Sequence, residues 1–197
     1  MAGVYTMNPV THFLTGWVIA NVDDLERRDR TIVTLAAVIP DVDGLGILTS
    51  IASKDQEIGL YLYGQYHHIL AHNLFSGLFI TAVAYALSKK KWLTGFLAFF
   101  SFHLHLLGDL LSGRGSDRTV WSIAYLFPAS PDFLVSWSGQ WELNAWPNVA
   151  ITVALLLLTF YLAWKRGYSP VGIISSKADH VFVNTLRKRF GHLTSKN

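Results

Sequence analysis

The segment 148–164, NVAITVALLLLTFYLAW, carries no charged residue, and it constrains the fold of this chain more than any other feature. A helix that crosses a bilayer needs about 17–25 predominantly apolar residues. The composition agrees with a membrane setting, since apolar residues make up 51% and charged residues 15% of the chain. A typical soluble domain has about 25% charged residues. The chain has 197 residues, a length that suits one domain. We therefore predict one integral membrane domain.

Two further apolar segments, Ile69–Ser88 and Trp92–Leu111, are candidate spans, and the lysines at 89–91 separate them. Two shorter runs near the N-terminus, Phe13–Val22 and Thr31–Pro40, are each about half the length of a span. They predict a half-spanning helical pair, either re-entrant or interfacial, with a longer helix that leaves the bilayer early as the alternative. The predicted fold is therefore an all-α membrane bundle with about three spanning helices.

The C-terminal segment Lys177–Asn197 is basic and has a helical pattern. Its apolar residues recur at helical spacing and lie beside three consecutive basic residues; they are Val181, Phe182, Leu186 and Phe190. The pattern predicts a basic amphipathic helix on an anionic membrane surface, and a solvated C-terminal helix is the alternative. The chain then divides into a membrane-embedded domain, 1–176, and an amphipathic tail, 177–197.

The distribution of Lys and Arg predicts the orientation in the cell's inner or plasma membrane. Because short cytoplasmic loops are enriched in Lys and Arg, we expect the lysines at 89–91, the pair Lys165-Arg166 and the basic C-terminus to be cytoplasmic. Residues 112–147 would then face the non-cytoplasmic side. This topology brings several ionisable side chains to one membrane level on that side, namely His67, His72, His105 and Asp109.

Histidines and aspartates border or interrupt these apolar segments, where an ionisable side chain is costly and usually functional. The chain has no cysteine, so a metal would need nitrogen and oxygen ligands. His105 and Asp109 are four residues apart and share a helix face, so both can ligate one metal, or Asp109 can orient His105. A metal-free hydrogen bond between them is the alternative. His103 points to the other side of a regular helix, and we expect it to contact the substrate or another polar group.

The motif His67-His68 and His72 precedes the second long apolar segment. We expect one of His67 and His68 to be a ligand, and the other to contact the substrate or orient a ligand. A histidine cluster at the membrane interface without a metal is the alternative. His12 precedes the first apolar run, and together with the other histidines and aspartates it is a reasonable metal ligand.

Asp41 and Asp43 end an apolar run in the motif PDVDG. In an extended segment their side chains would point the same way, and paired carboxylates can bind or bridge metals. A helix-ending turn rich in Asp and Gly is the alternative.

The order of these motifs resembles that of the membrane-bound metal-dependent hydrolase family: TH at 11–12, PDVD at 40–43, HHILAH at 67–72 and HLHLLGD at 103–109. That family is similar in motif order to zinc-dependent phospholipase C, which is helical and uses a multi-zinc site. His68, Ala71 and Asn73 stand where the family usually has Arg, Thr and Ser. The resemblance implies a set of metal ligands, namely His12, Asp41, His67, His72, His105 and Asp109.

These observations predict a metal-dependent hydrolase that acts on a phosphoester, such as a lipid headgroup, with a divalent metal and Zn²⁺ as the expected ion. A bound metal lowers the pKa of water from about 15.7 to about 7, and Asp41 or Asp43 would bridge metals or act as general base. Membrane lipid is the expected partner, and no nucleic-acid partner is expected. The alternative function is a non-catalytic metal-binding membrane protein, a transporter or sensor. The lack of an internal repeat in the sequence favours the hydrolase. A third hypothesis is a structural membrane protein whose histidines serve packing.

Overall fold

In this computed structural model, which describes residues 8–47, 67, 69–114 and 119–191, the regular structure is helical. Within those residues the extended pairing is limited to isolated bridges, and the predicted all-α class is confirmed. Two 3-10 segments span Ile39–Ile47 and Pro170–Ile173. The α-helices are α1 Pro9–Ile19, α2 Arg27–Ala36, α3 Leu74–Leu87, α4 Lys91–Ser112, α5 Trp146–Arg166 and α6 Ser176–Phe190.

Two of these helices, α4 and α5, are long and apolar enough to cross a membrane by length and composition. The third predicted span is shorter than expected, because α3 has 14 residues and a length of about 21 Å. A bilayer core is about 30 Å thick. The helix begins late because Asn73 caps it, accepting a hydrogen bond from the Ser76 backbone N–H at 2.9 Å. The described residues therefore contain two helices of spanning length, and the prediction of about three is not confirmed.

Helix α5 presents apolar side chains to the outside along most of its length. Leu157 is 66% exposed, and Val153 and Phe160 are also exposed, while Thr159 and Ala163 are buried against the protein. Exposing such a face to water costs about 25 cal/mol per Å² of apolar surface, a cost that a lipid environment removes. Trp146, which begins the helix, is 79% exposed, as suits a residue type enriched at membrane interfaces.

The short helices α1 and α2 pack closely against each other and against α4. Gly16 permits this approach, since a Cβ at that position would lie 2.6 Å from the Ala37 Cβ and 2.7 Å from the Thr34 carbonyl oxygen. Leu25, Val33 and Leu97 are buried in the core that these three helices share.

Basic residues gather where α3 turns into α4. Lys90 Nζ lies 3.2 Å from Asp23 Oδ2, and Arg166 Nη1 donates to the Asp23 carbonyl at 3.4 Å. Arg187 of α6 donates to the Trp164 carbonyl at 3.1 Å, near the end of α5. We call this region the basic end of the molecule; it contains Lys89, Lys90, Lys91, Lys165, Arg166 and Arg187.

The C-terminal helix α6 packs partly on α5. The Phe182 ring lies 5.8 Å from the Phe160 ring, and Val183 is buried. Two of the predicted apolar positions, Val181 and Phe190, are exposed. An exposed apolar pair beside basic residues is compatible with either of the two predicted settings, the membrane surface or solvent.

Candidate metal centre

Seven ionisable side chains converge at the end of α4 that lies away from the basic end. By the rise of an α-helix, His105 is about 21 Å along the axis from Lys91. Overlapping groups of three among the seven place their ligand atoms within 4.8 Å of one another. The seven are His12 of α1, Asp41 and Asp43 of the first 3-10 segment, His67 and His72 before α3, and His105 and Asp109 of α4.

Hydrogen bonds determine which ring nitrogen carries the proton in two of these histidines. His105 Nδ1 lies 2.8 Å from the Ala37 carbonyl oxygen. Because a carbonyl only accepts, Nδ1 carries the hydrogen and Nε2 of the neutral ring presents a lone pair. His72 Nδ1 lies 2.9 Å from Asp43 Oδ2, and the same reasoning gives the neutral His72 ring a lone pair at Nε2.

These two lone pairs converge on a carboxylate. The Nε2 atoms of His72 and His105 lie 3.1 Å apart, and Asp109 Oδ2 lies 2.9 Å from His105 Nε2 and 3.3 Å from His72 Nε2. All three residues are buried. Tetrahedral Zn²⁺ with bonds of about 2.0–2.1 Å separates its nitrogen and oxygen ligands by about 3.3 Å. The spacing therefore fits a shared divalent cation.

His12 and Asp41 complete this group from two other elements. His12 Nε2 lies 3.1 Å from Asp109 Oδ1, and the His12 ring stacks on the His105 ring at 3.7 Å. Asp41 Oδ1 lies 3.6 Å from His105 Nε2. Asp41 Oδ2 is buried and accepts no hydrogen bond from the described residues, and burial raises the pKa of Asp41 to about 7.

Asp43 holds two histidines at once. Its carboxylate lies 2.6 Å from His67 Nδ1 and 2.9 Å from His72 Nδ1, and it accepts from the Ala71 backbone N–H at 3.0 Å. Burial opposes the charge, but the hydrogen bonds from His67 and His72 outweigh it and hold the pKa of Asp43 well below its usual range. Burial likewise opposes protonation of His72, but Asp109 and Asp43 outweigh it and raise the pKa of His72 to about 9. Without a metal, a proton therefore occupies His72 at neutral pH.

The extended segment that would point Asp41 and Asp43 the same way is not formed. Both belong to the 3-10 segment Ile39–Ile47, in which each residue turns the chain by about 120°. The two carboxylates consequently face different partners, Asp41 towards His105 and Asp43 towards His67 and His72.

His103 lies outside this cluster, on another face of α4. Its Nδ1 donates to the Phe99 carbonyl at 2.8 Å, so its Nε2 accepts from the Tyr125 hydroxyl at 3.2 Å. The Tyr125 carbonyl in turn accepts from the Leu74 backbone N–H at 2.9 Å. His103 thus joins α4 to the segment that follows it and to the start of α3. His68 lies outside the described residues.

The segment after α4 covers one side of the cluster. The Trp121 ring lies 6.2 Å from the His67 ring. The buried Gln140 side chain accepts from the Trp121 N–H at 2.9 Å and donates to the Trp121 carbonyl at 2.8 Å. Sequence reasoning missed Gln140 and Trp121, and it missed the Ala37 carbonyl that orients His105. A backbone acceptor has no side-chain signature, whereas the density of Trp in 121–146 was an available signal.

In comparisons with known proteins, no model of a protein family matches this chain, and no curated protein or solved structure gives a match. The resemblance in motif order to the membrane-bound metal-dependent hydrolases therefore stays a prediction, and the geometry of the cluster carries the functional inference.

Proposed function

We propose that this chain is a membrane-bound metal-dependent hydrolase that acts on a phosphoester, such as a lipid headgroup. The observation that carries the proposal is the convergence of the His72 and His105 Nε2 lone pairs on Asp109, within 3.3 Å of one another. Buried acceptors at these distances repel one another unless a positive charge lies among them. Without a metal the proton on His72 supplies that charge, and a divalent cation would take its place.

The donor set favours a borderline divalent metal, and Zn²⁺ suits it best because imidazole and carboxylate are its nitrogen and oxygen ligands. His12, His72, His105 and Asp109 would hold the ion, with Asp41 beside them. Asp43 and the Ala37 carbonyl would keep the rings of His72 and His105 in the ligating tautomer. The bound metal would supply a Lewis acid and an activated water.

Asp41 is the residue that we assign to proton transfer. Its side chain is 14% exposed, whereas the side chains of His12, His72, His105 and Asp109 are at most 1% exposed. A water or substrate that approaches the cluster therefore meets Asp41 first. The partly exposed Asp41 carboxylate is therefore placed to orient that water and receive its proton.

The surroundings of the cluster suit an amphiphilic substrate. The segment after α4 exposes Phe133, Leu134 and Trp137, and aromatic side chains of this kind favour the headgroup level of a membrane. With α4 and α5 spanning, the metal centre lies near one membrane boundary and the basic end near the other. The positive-inside tendency then assigns the C-terminus to the cytoplasm and the metal centre to the non-cytoplasmic side.

Hydrolysis of a phosphodiester chromogen, bis(4-nitrophenyl) phosphate, and of phospholipid vesicles by detergent-purified protein tests the proposal. We expect turnover that EDTA abolishes and Zn²⁺ restores, and that Asp41→Asn lowers by about 10²–10⁴-fold, the usual contribution of a general base. Asp132→Asn, on the exposed segment after α4, should leave the rate unchanged. A protein that retains metal and shows no turnover of any phosphoester would contradict the hydrolase and favour a non-catalytic metal-binding protein.

A further inference from the structure

A groove on the outer surface between α3 and α4 lies at the basic end, far from the metal centre. It encloses about 600 Å³. Gly95 and Thr81 are among the residues that line it, and a Cβ added at Gly95 would lie 3.5 Å from the Tyr85 Cβ, an ordinary packing contact between the two helices. The other residues that line it are apolar or aromatic: Leu78, Ala82, Tyr85, Trp92, Phe96 and Phe99.

A single cation stands at the mouth of this groove without an acidic partner among the described residues. Lys89 lies 2.6 Å from Glu26, and Lys90 lies 3.2 Å from Asp23, so both are ion-paired. Lys91 instead places its Nζ 5.8 Å from the centre of the Tyr85 ring, which lines the groove. The neighbouring Trp92 is 81% exposed. A cation and an exposed indole at the end of an apolar groove match a phosphate joined to a hydrocarbon chain.

We propose that this groove binds an anionic phospholipid, with an acyl chain along α3 and α4 and the phosphate at Lys91. The proposal is independent of the chemistry at the metal centre, since Lys91 is about 21 Å along α4 from His105. A second copy of the chain is a poorer occupant. Symmetry about an axis normal to the membrane would bring the Lys91 residues of both copies to the same level, where their like charges repel.

Lipid titration of the full-length protein in detergent tests this proposal. The readouts are the thermal midpoint and the number of lipids bound per monomer by native mass spectrometry. Phosphatidylglycerol and phosphatidylcholine with identical acyl chains are the probes, and glycerol 3-phosphate tests the headgroup alone. We expect tighter binding and larger stabilisation with phosphatidylglycerol than with phosphatidylcholine, and none with glycerol 3-phosphate.

Two variants and a matched control locate the site. Lys91→Glu should weaken phosphatidylglycerol binding by about fivefold or more, the effect of one lysine at an anionic surface. Ala82→Trp, at an exposed groove position, should fill the groove and remove binding of both lipids. Lys165→Glu is the control, because Lys165 Nζ lies 5.6 Å from the Tyr161 ring in a similar arrangement on α5, outside this groove.

Equal lipid binding by wild type and Ala82→Trp would overturn the proposal. The proposal would also be overturned if the wild-type protein were an oligomer that Ala82→Trp dissociates, because the groove would then be occupied by a second copy of the chain.

Discussion

The Nε2 atoms of His72 and His105 lie 3.1 Å apart in the buried interior, although the hydrogen bonds of both rings, when neutral, assign a lone pair to each of these atoms. The arrangement needs a positive charge between α4 and the start of α3, which the proton on His72 supplies without a metal and a divalent cation would supply in its place. A metal at this position would connect α1, the first 3-10 segment and α4, which are distant in sequence. Binding would then stabilise the fold as well as support chemistry.

Removal of the metal should therefore lower thermal stability. A ligand at a hundredfold excess over its Kd stabilises the folded state by about 2.7 kcal/mol. In a chain of this size that corresponds to a shift of about 5–10 °C in Tm. Differential scanning fluorimetry with and without EDTA measures the shift. His105→Ala should have a low Tm that EDTA does not change; the same EDTA-dependent shift in that variant would argue that the metal binds elsewhere.

Asp43 should control metal affinity through His67 and His72. Asp43→Asn removes the charge that holds both Nδ1–H groups, and loss of such an orienting group typically weakens metal binding about 10–100-fold. Competition with a chromophoric chelator measures the affinity. Asp132→Asn removes an exposed carboxylate and should leave it unchanged. An unchanged affinity in Asp43→Asn would show that the ring orientations do not depend on this carboxylate.

The helices could be predicted from the sequence where charge and glycine mark their ends. The predicted segment Trp92–Leu111 corresponds to the observed helix Lys91–Ser112, which is flanked by Lys90 at its start and Gly113 at its end. The predicted span Ile69–Ser88 lost its first turn because His72 turns towards Asp43 and Asn73 caps the helix. Apolar composition alone contains no information on such a turn.

Local spacing predicted part of the site, and long-range pairing produced the rest. The four-residue spacing of His105 and Asp109 brings their side chains to 2.9 Å. The pairing of Asp43 with His72 crosses 29 positions of the chain, and no short motif encodes it. Asp29 belongs to the charged stretch 23–30, DDLERRDR, and its side chain is buried, which composition alone does not indicate.

Asp29 should stabilise the turn into α4. It accepts from the backbone N–H groups of Lys89 and Lys90, at 3.0 and 2.9 Å, and from Thr94 Oγ1 at 3.1 Å. Asp29→Asn should cost about 1.5–3 kcal/mol, as hydrogen bonds to a charged group do. Glu26→Gln, which breaks the exposed pair with Lys89, should cost less than about 1 kcal/mol. Denaturation in mixed micelles compares the two variants.

The stabilisation by Asp29 should depend on pH. Burial opposes the charge, but the three donors outweigh it and hold the pKa of Asp29 below its usual range. The contribution is therefore fully present above the unfolded-state pKa of about 3.9 and is lost as the pH falls through the lower folded-state value. Wild type and Asp29→Asn should converge in stability only below about pH 4. Convergence at neutral pH would contradict this role.

The topology can be tested with single cysteines, since the chain has none of its own. Ser136→Cys lies on the exposed segment after α4, and Thr185→Cys lies on the exposed face of α6. In intact cells an impermeant maleimide should label Ser136→Cys and not Thr185→Cys. The opposite pattern would place the metal centre on the cytoplasmic side, and equal labelling only after lysis would argue against two spanning helices.

The metal content of the purified protein tests the central proposal most directly. Inductively coupled plasma mass spectrometry of the detergent-purified chain should find at least one divalent ion per molecule, with Zn²⁺ expected. His105→Ala and Asp109→Ala should lower that content sharply. His103→Ala should retain it, because His103 contacts Phe99 and Tyr125 and not the cluster. A wild-type protein without metal after purification in Zn²⁺-containing buffer, or a content that neither His105→Ala nor Asp109→Ala changes, would contradict the metal centre.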